Sequence, residues 1–218
     1  MSKSLEISNL CRITMEDNAP AQIYFYKEIG FENLEKEKIC SEEFCQQVDA
    51  IEPDRPIIIR MNSCGGSFYD GLSIANKLME RKNVTCHIDG NCASAATLVA
   101  AACKKVVASE AASILIHNAR GNAIDRQSGS LREMADTLDD LSNKMAEIYS
   151  RKTCRPVAEM KAIMDKGERM SAQQALELGL VDEIKLLKPS ADFQAECKPK
   201  DKKIMNKNDE KVRAAEEV

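Results

Sequence analysis

Three features of this chain have types and spacing that could do chemistry: a serine among small residues, two histidines, and a pair of adjacent glycines. Ser94 lies in GNCASAATLVAAA (90–102), after a strand-like segment and at the start of a helical one. A serine there is an ordinary N-cap, its oxygen accepting from the first helical turn. The same place suits a nucleophile, because a helix N-terminus stabilises negative charge and the Ala95 N–H points where an oxyanion would form. Gly90, Ala93, Ala95 and Ala96 would let a substrate backbone come close. A serine nucleophile needs a base, and His87 and His117 are the two histidines of the chain. His87 falls mid-strand in NVTCHIDG and reads as a packed or surface strand residue. His117 falls near the end of SILIHNA, at the edge of a parallel sheet where the Ser94 helix begins, and is the better partner. A second backbone donor for an oxyanion could come from NSCGGS (62–67), whose glycines allow close approach. The same pair would also serve a plain strand-to-helix turn.

These residues need a scaffold. AQIYFYKEIG (21–30) alternates as a strand, and SEEFCQQVDAI (41–51) has helical spacing behind a Ser cap. RPIIIRMN (55–62) is a short buried strand and GGSFYDGLSIANKLMERK (65–82) a turn followed by an amphipathic helix. NVTCHIDG (83–90), KVVA (105–108) and SILIHNA (113–119) are further strands. Strand and helix alternate to about residue 119, which predicts an α/β fold with a parallel sheet and crossover helices. Chemistry in such folds collects at the strand ends. Residues 120–130 are polar and glycine-rich, a loop or exposed ribbon. A long helix with one apolar stripe follows over 131–152, then a shorter one over 155–167 with Pro in its first turn and a terminal Gly. SAQQALELGLVDEI (171–184) reads as helix, Gly stop and strand. Residues 1–20 read as a loose arm, and 188–218 as a charged, flexible tail.

Composition narrows the class. The chain has 218 residues, 44% hydrophobic but 4% aromatic, with no Trp, so its core must be aliphatic. A net charge of −4 argues against a nucleic-acid partner. No apolar run is long enough for a membrane span, and the N-terminus has no secretory pattern. Nine cysteines, an odd number without a CxxC pair, read as reduced thiols. With two histidines and no cysteine at ligand spacing, no metal site is expected.

Four blocks in this order resemble the Clp protease proteolytic subunit (ClpP) family, and more closely its phage branch, the ClpP-like head maturation proteases. They are IIIRMNSCGGSFYDGLSIANKL, VTCHIDGNCASAATLVAAA, ILIHNARG and MSAQQALELGLVDEI. The family's first block is N-S-P-G-G with a later Gly; here Cys64 replaces the proline and Gly71 keeps that glycine. The second, G-x-x-A-S-x-(A/G), is matched from Gly90 to Ala96. Ile116, His117 and Asn118 match the third, and Ser171 to Asp182 the fourth. The resemblance covers about residues 21–187.

The resemblance implies a ClpP/crotonase-type spiral of ββα units, with a protruding handle of ribbon plus long helix over 120–152. It implies a serine endopeptidase working through an acyl-enzyme, with Ser94 as nucleophile and His117 as general base. The oxyanion donors would be the backbone N–H groups of Gly66 and Ala95. Ser67, Phe68, Arg120 and Gly121 would contact the substrate, an extended peptide that adds as a strand. The family's third catalytic member falls at Gly167, which has no side chain. Asp165 and Glu168 flank it as alternatives, and both also suit surface charges at a helix end. Cys64 and Cys92 read as small packing residues. No cofactor is implied. The implied partners are a protein substrate, such as a capsid or scaffold protein, and further copies of the chain in rings, in a bacterial host cytoplasm. Two alternatives are a housekeeping Clp subunit fed by an unfoldase ATPase and an inactive ring-forming homologue.

Overall fold

The computed structural model describes residues 12–17, 19–30, 38–124 and 127–187. Arg12–Thr14 (β1) pairs antiparallel with Ala21–Phe25 (β2), Ile13 opposite Ile23. Part of the stretch read as a loose arm is therefore an edge strand, held because Ile13 is buried. The tail beyond residue 187 lies outside the described residues, as does the arm before residue 12.

Two short strands, Glu28–Ile29 (β3) and Lys38–Ile39 (β4), make a small parallel sheet of their own. Helix α1 (Ser41–Asp49) starts one residue before expectation: Cys40 is its N-cap, and the Ser41 hydroxyl instead donates to Asp70 Oδ1 at 2.6 Å. Strand β5 (Ile57–Ser63) buries Ile57, Ile59 and Met61 on one face, at the period of two that a half-buried strand requires. Helix α2 (Phe68–Met79) is capped by Ser67, whose Oγ accepts from the Asp70 N–H at 3.3 Å.

Strand β6 runs from Val84 to Ala93, past the Gly90 turn read from the sequence. Helix α3 (Ala95–Ala101), β7 (Lys105–Ser109) and β8 (Ser113–Leu115) follow. Then come α4 (Ser128–Thr153), α5 (Val157–Lys166), β9 (Met170–Ser171), α6 (Ala172–Leu178) and β10 (Glu183–Lys185). Helix α6 begins with a reciprocal Ser171–Gln174 capping box and ends at Gly179 in the left-handed region.

The main sheet has the order β1-β2-β5-β6-β7-β10, with β8 branching from β6 and β9 from β8; its pairings are parallel except β1 with β2 and β8 with β9. Strand β6 changes partner along its length. Thr85–Ile88 pair with β7, whereas Asn91–Ala93 pair with β8. Between them β6 bulges against β5: Met61 faces Ile88 but Ser63 faces Cys92. Beyond this bend the end of β6 pairs with β8 and leads into Ser94 at the start of α3.

The core is aliphatic, as the composition demands. Ile23, Ile59, Met61, Ile74, Leu78, Leu98 and Val99 are fully buried, and each such side chain contributes about 1.5–3 kcal/mol. The long helix divides in two. Leu141, Met145 and Tyr149 pack on their own domain, while Leu131, near its N-terminus, is exposed. Residues 120–124, the described start of the expected ribbon, carry no strand. Among the described residues no helix is long and apolar enough to cross a membrane, and no group of three His, Cys, Asp or Glu could hold a metal.

Candidate active site

Ser94 sits between β6 and α3 with φ +56° and ψ −130°. A positive φ is costly for any residue with a Cβ, and Ser94 and Cys154 are the two such residues among those described. The turn is held from both sides. The Ser94 N–H donates to Leu115 O at 2.9 Å. Its carbonyl accepts from the Thr97 N–H at 2.9 Å and from Thr97 Oγ1 at 2.5 Å. Thr97 Oγ1 is also 2.6 Å from the hydroxyl of Tyr149. Burial pushes that phenol far above its ordinary pKa, so it stays neutral and can donate. With its backbone engaged, Ser94 does not cap the helix through its side chain, which removes the ordinary reading of a serine at this place. A strained strand-to-helix turn that frees a serine hydroxyl is the geometry of a nucleophile elbow.

The turn Gly65–Gly66 lies directly against this elbow. A Cβ at Gly65 would stand 2.4 Å from Ala93 O and 2.8 Å from both the Ala95 nitrogen and Ser94 Cβ. One at Gly66 would stand 2.1 Å from Ile29 O. The residues on either side are taken up by β3: Ile29 N–H donates to Gly65 O at 2.8 Å, and Ser67 N–H to Ile29 O at 2.9 Å. The Gly66 N–H has no backbone acceptor among the described residues. The Ala95 N–H belongs to the first turn of α3, where no intrahelical acceptor exists. Two free donors beside one hydroxyl can stabilise an oxyanion on an attacked carbonyl.

His117 lies two residues beyond β8, the strand that pairs with Asn91–Ala93. Its Nδ1 is 2.6 Å from the Asn118 carbonyl. The carbonyl can only accept, so Nδ1 carries the proton and Nε2 is left as the acceptor a general base needs. Asp165 does not take that Nδ1. Its Oδ1 accepts instead from Asn118 Nδ2 at 2.8 Å. Glu168 is exposed and makes no hydrogen bond or ion pair among the described residues. Gly167 ends α5 in the left-handed region, and a Cβ there would be 3.7 Å from His117 Cβ and 4.0 Å from Arg120 Nη2.

Ser94, Ala95, His117, Gly66, Ser67, Phe68 and Arg120 line one cleft of about 480 Å³. Gly121 does not line it. A Cβ at 121 would be 2.3 Å from Met134 Cε, so this glycine faces α4 and not the cleft. Glu28, Tyr69, Ala119, Leu141 and Met145 also line it and carried no signal of a site in the sequence. Leu141 and Met145 belong to the apolar stripe of α4, so helical spacing marked them as buried but could not say against what. Cys64 is exposed and lines the cleft, contrary to its reading as a packing residue. Cys92 is fully buried, and burial pushes its thiol far up. His87 is half-buried beside Arg60; burial first, and then that guanidinium, lower its pKa.

The sequence matches the family model for Clp protease over residues 21–186. The ATP-dependent Clp protease proteolytic subunit 1 of Prochlorococcus marinus (strain NATL2A) is 29% identical over 140 residues, covering 63% of this chain and 71% of that one. Proteolytic subunit 2 of Corynebacterium jeikeium (strain K411) is 29% identical, covering 63% and 67%. Proteolytic subunit 1 of Prochlorococcus marinus subsp. pastoris is 31% identical over 145 residues, covering 65% and 74%. The solved structure of a ClpP1 mutant from Listeria monocytogenes superposes with a TM-score of 0.65 over 77% of this chain and 92% of that one. Its 21% identity makes this a likeness of fold. The order of strands, the elbow at Ser94 and the match over residues 21–186 agree: this chain belongs to the Clp protease family.

Proposed function

We propose that this chain is a serine endopeptidase. Ser94 Oγ attacks a peptide carbonyl while His117 Nε2 takes its proton, and the N–H groups of Gly66 and Ala95 hold the oxyanion. The imidazolium then protonates the leaving amine. Water, activated by the same imidazole, releases the acyl group from Ser94. The observation that carries this reading is the strained Ser94 turn, opening on a cleft shared with His117 and two backbone donors. In place of a carboxylate, the Asn118 carbonyl holds the imidazole, making Ser94 and His117 a dyad. Arg120 and Phe68, on the cleft wall, would contact the peptide substrate.

The wider setting we propose is a homo-oligomeric ring in a bacterial host cytoplasm that processes capsid or scaffold protein during phage head maturation. The stretch HNARGNA and the divergent N-terminal arm support it. The names of the three curated relatives above, proteolytic subunits of ATP-dependent Clp proteases, favour a second reading, in which an unfoldase ATPase feeds the chain. Gly167 beside His117 favours a third, a ring-forming homologue without activity. The test is hydrolysis of an unfolded protein and of short peptides by the purified full chain, with and without a bacterial Clp ATPase and ATP. Cleavage of the unfolded protein without the ATPase, lost in Ser94→Ala, supports the maturation reading. Cleavage of protein only with the ATPase moves the chain to the second, and no cleavage of any peptide to the third.

A further inference from the structure

We infer that Asn91 and Arg169 are positioning residues that clamp the oxyanion turn against the nucleophile elbow, an inference that rests on the serine-peptidase reading. Asn91 occupies an unspecified position of the second sequence block, and Arg169 lies two residues past Gly167.

At that bulge Asp89, Gly90 and Asn91 stand opposite Asn62 alone. Asn62 Oδ1 accepts from the Asn91 N–H at 3.0 Å and lies where a Cβ at Gly90 would be 3.0 Å away. The Asn91 carboxamide then reaches in both directions. Its Nδ2 donates to Ser63 O at 3.0 Å and to Cys64 Sγ at 3.4 Å. Its Oδ1 accepts from Arg169 Nη1 at 2.8 Å, and the same Nη1 is 3.1 Å from Ser113 Oγ. One side chain thus joins the end of β5, the end of β6 and the segment after α5.

The residues it grips, Ser63 and Cys64, immediately precede Gly65–Gly66. Glycines have no side chains with which to hold themselves, and their backbone freedom is the largest of any residue. An oxyanion donor must nonetheless stay aimed within a few tenths of an ångström, since a misplacement of about 1 Å costs on the order of 100-fold in rate. Ser63 holds the turn from the β3 side, its Oγ donating to Lys27 O at 2.6 Å and accepting from Gly65 N–H at 3.1 Å. Asn91 holds it from the β6 side, and Arg169 fixes which way the carboxamide faces. With Oδ1 committed to the guanidinium, Nδ2 must point at Ser63 O.

The test uses the full chain with Arg169→Met, Arg169→Lys and Asn91→Asp. Arg169 is exposed, so its replacement leaves the core untouched. Asn91→Asp keeps an acceptor for Arg169 but sets an oxygen against Ser63 O. On a peptide the wild type cleaves, Arg169→Met and Asn91→Asp should lower kcat about tenfold with KM within about twofold, as expected for loss of a contact made only in the transition state. A peptidyl boronate, whose tetrahedral adduct fills the oxyanion position, should bind both variants about tenfold more weakly. Arg169→Lys, which retains a donor, should recover most of the loss. If the wild type is active and the variants match it in kcat and boronate affinity, the inference is wrong and the peptidase reading stands. If the wild type neither cleaves peptides nor binds the boronate, both fall.

Discussion

Gly167 faces His117 across a gap one side chain wide. A Cβ at 167 would stand 3.7 Å from the imidazole's own Cβ and 4.0 Å from Arg120 Nη2. The position to which the family resemblance assigns an acid holds a glycine. The imidazole turns its Nδ1 to the Asn118 carbonyl instead.

Gly167→Asp should therefore raise activity. The backbone at 167 is left-handed (φ +56°, ψ +38°), a conformation Asp and Asn adopt more readily than other side chains. A carboxylate there would accept a hydrogen bond from the Nδ1–H and pair with Arg120. The expected gain in kcat/KM is at least about tenfold, because the orienting acid of a triad is worth several orders of magnitude. Gly167→Asn, of equal size and without charge, should gain much less. Equal activities of the wild type and the Asp variant, both folded, would show that the acid position is not reachable from residue 167.

Gly66 and Gly129 should respond in opposite ways to the same change. At Gly66 an added Cβ would meet Ile29 O at 2.1 Å with φ at +143°, so Gly66→Ala should cost more than about 2 kcal/mol and abolish activity. Gly129 lies in α4 with nothing within 4 Å. There Ala should be neutral or stabilising by up to about 1 kcal/mol. Thermal unfolding of the two variants checks both.

Cys64 should be the thiol whose alkylation stops the enzyme. It is exposed and lines the cleft beside the oxyanion turn. Cys92 is buried, and its thiol is held protonated by that burial. In Cys86, a hydrogen bond with Cys103 and then burial have the same effect. Only thiolates react quickly. Iodoacetamide at neutral pH should therefore block the wild type but not Cys64→Ser, with mass spectrometry placing the adduct on Cys64 and none on Cys86 or Cys92. Inhibition that persists in Cys64→Ser would refute this.

Asp70 should contribute to acid sensitivity. Burial alone would raise its pKa, but hydrogen bonds from Ser41, Ser67 and backbone N–H groups outweigh that and leave it below the ordinary Asp value. A folded pKa below the unfolded one gives stability that is complete above the unfolded pKa and is lost as pH falls through the folded one. The tie between α1 and α2 should thus weaken only in the acid range, and Asp70→Asn should flatten that part of the stability–pH curve. A curve unchanged by the substitution would contradict the assignment.

Much of the fold could be read from pattern. The runs around Ile57–Met61 and Val84–Ile88 have strand spacing, and the segment from Phe68 has helical spacing, so the sheet and its crossovers were visible. The β6 bulge was not, because no local signal says that three residues will oppose one; it depends on the Asn62 side chain from a neighbouring strand. Ser94, His117 and the glycine pair, which line one cleft, could be singled out as candidates by residue type and place. The partner of the imidazole could not, since Nδ1 takes a backbone carbonyl, which every residue has. Gly121 was misread for a related reason. A glycine marks a close approach without saying to what, and here the neighbour is Met134 of α4.

Activation of Ser94 as a nucleophile by His117 can be read with a fluorophosphonate probe. The intact full-length protein should be labelled on Ser94, as located by peptide mass spectrometry, and labelling should vanish in Ser94→Ala and fall at least about 100-fold in rate in His117→Ala. Wild type labelled no more than Ser94→Ala, or labelled at another residue, would contradict the account.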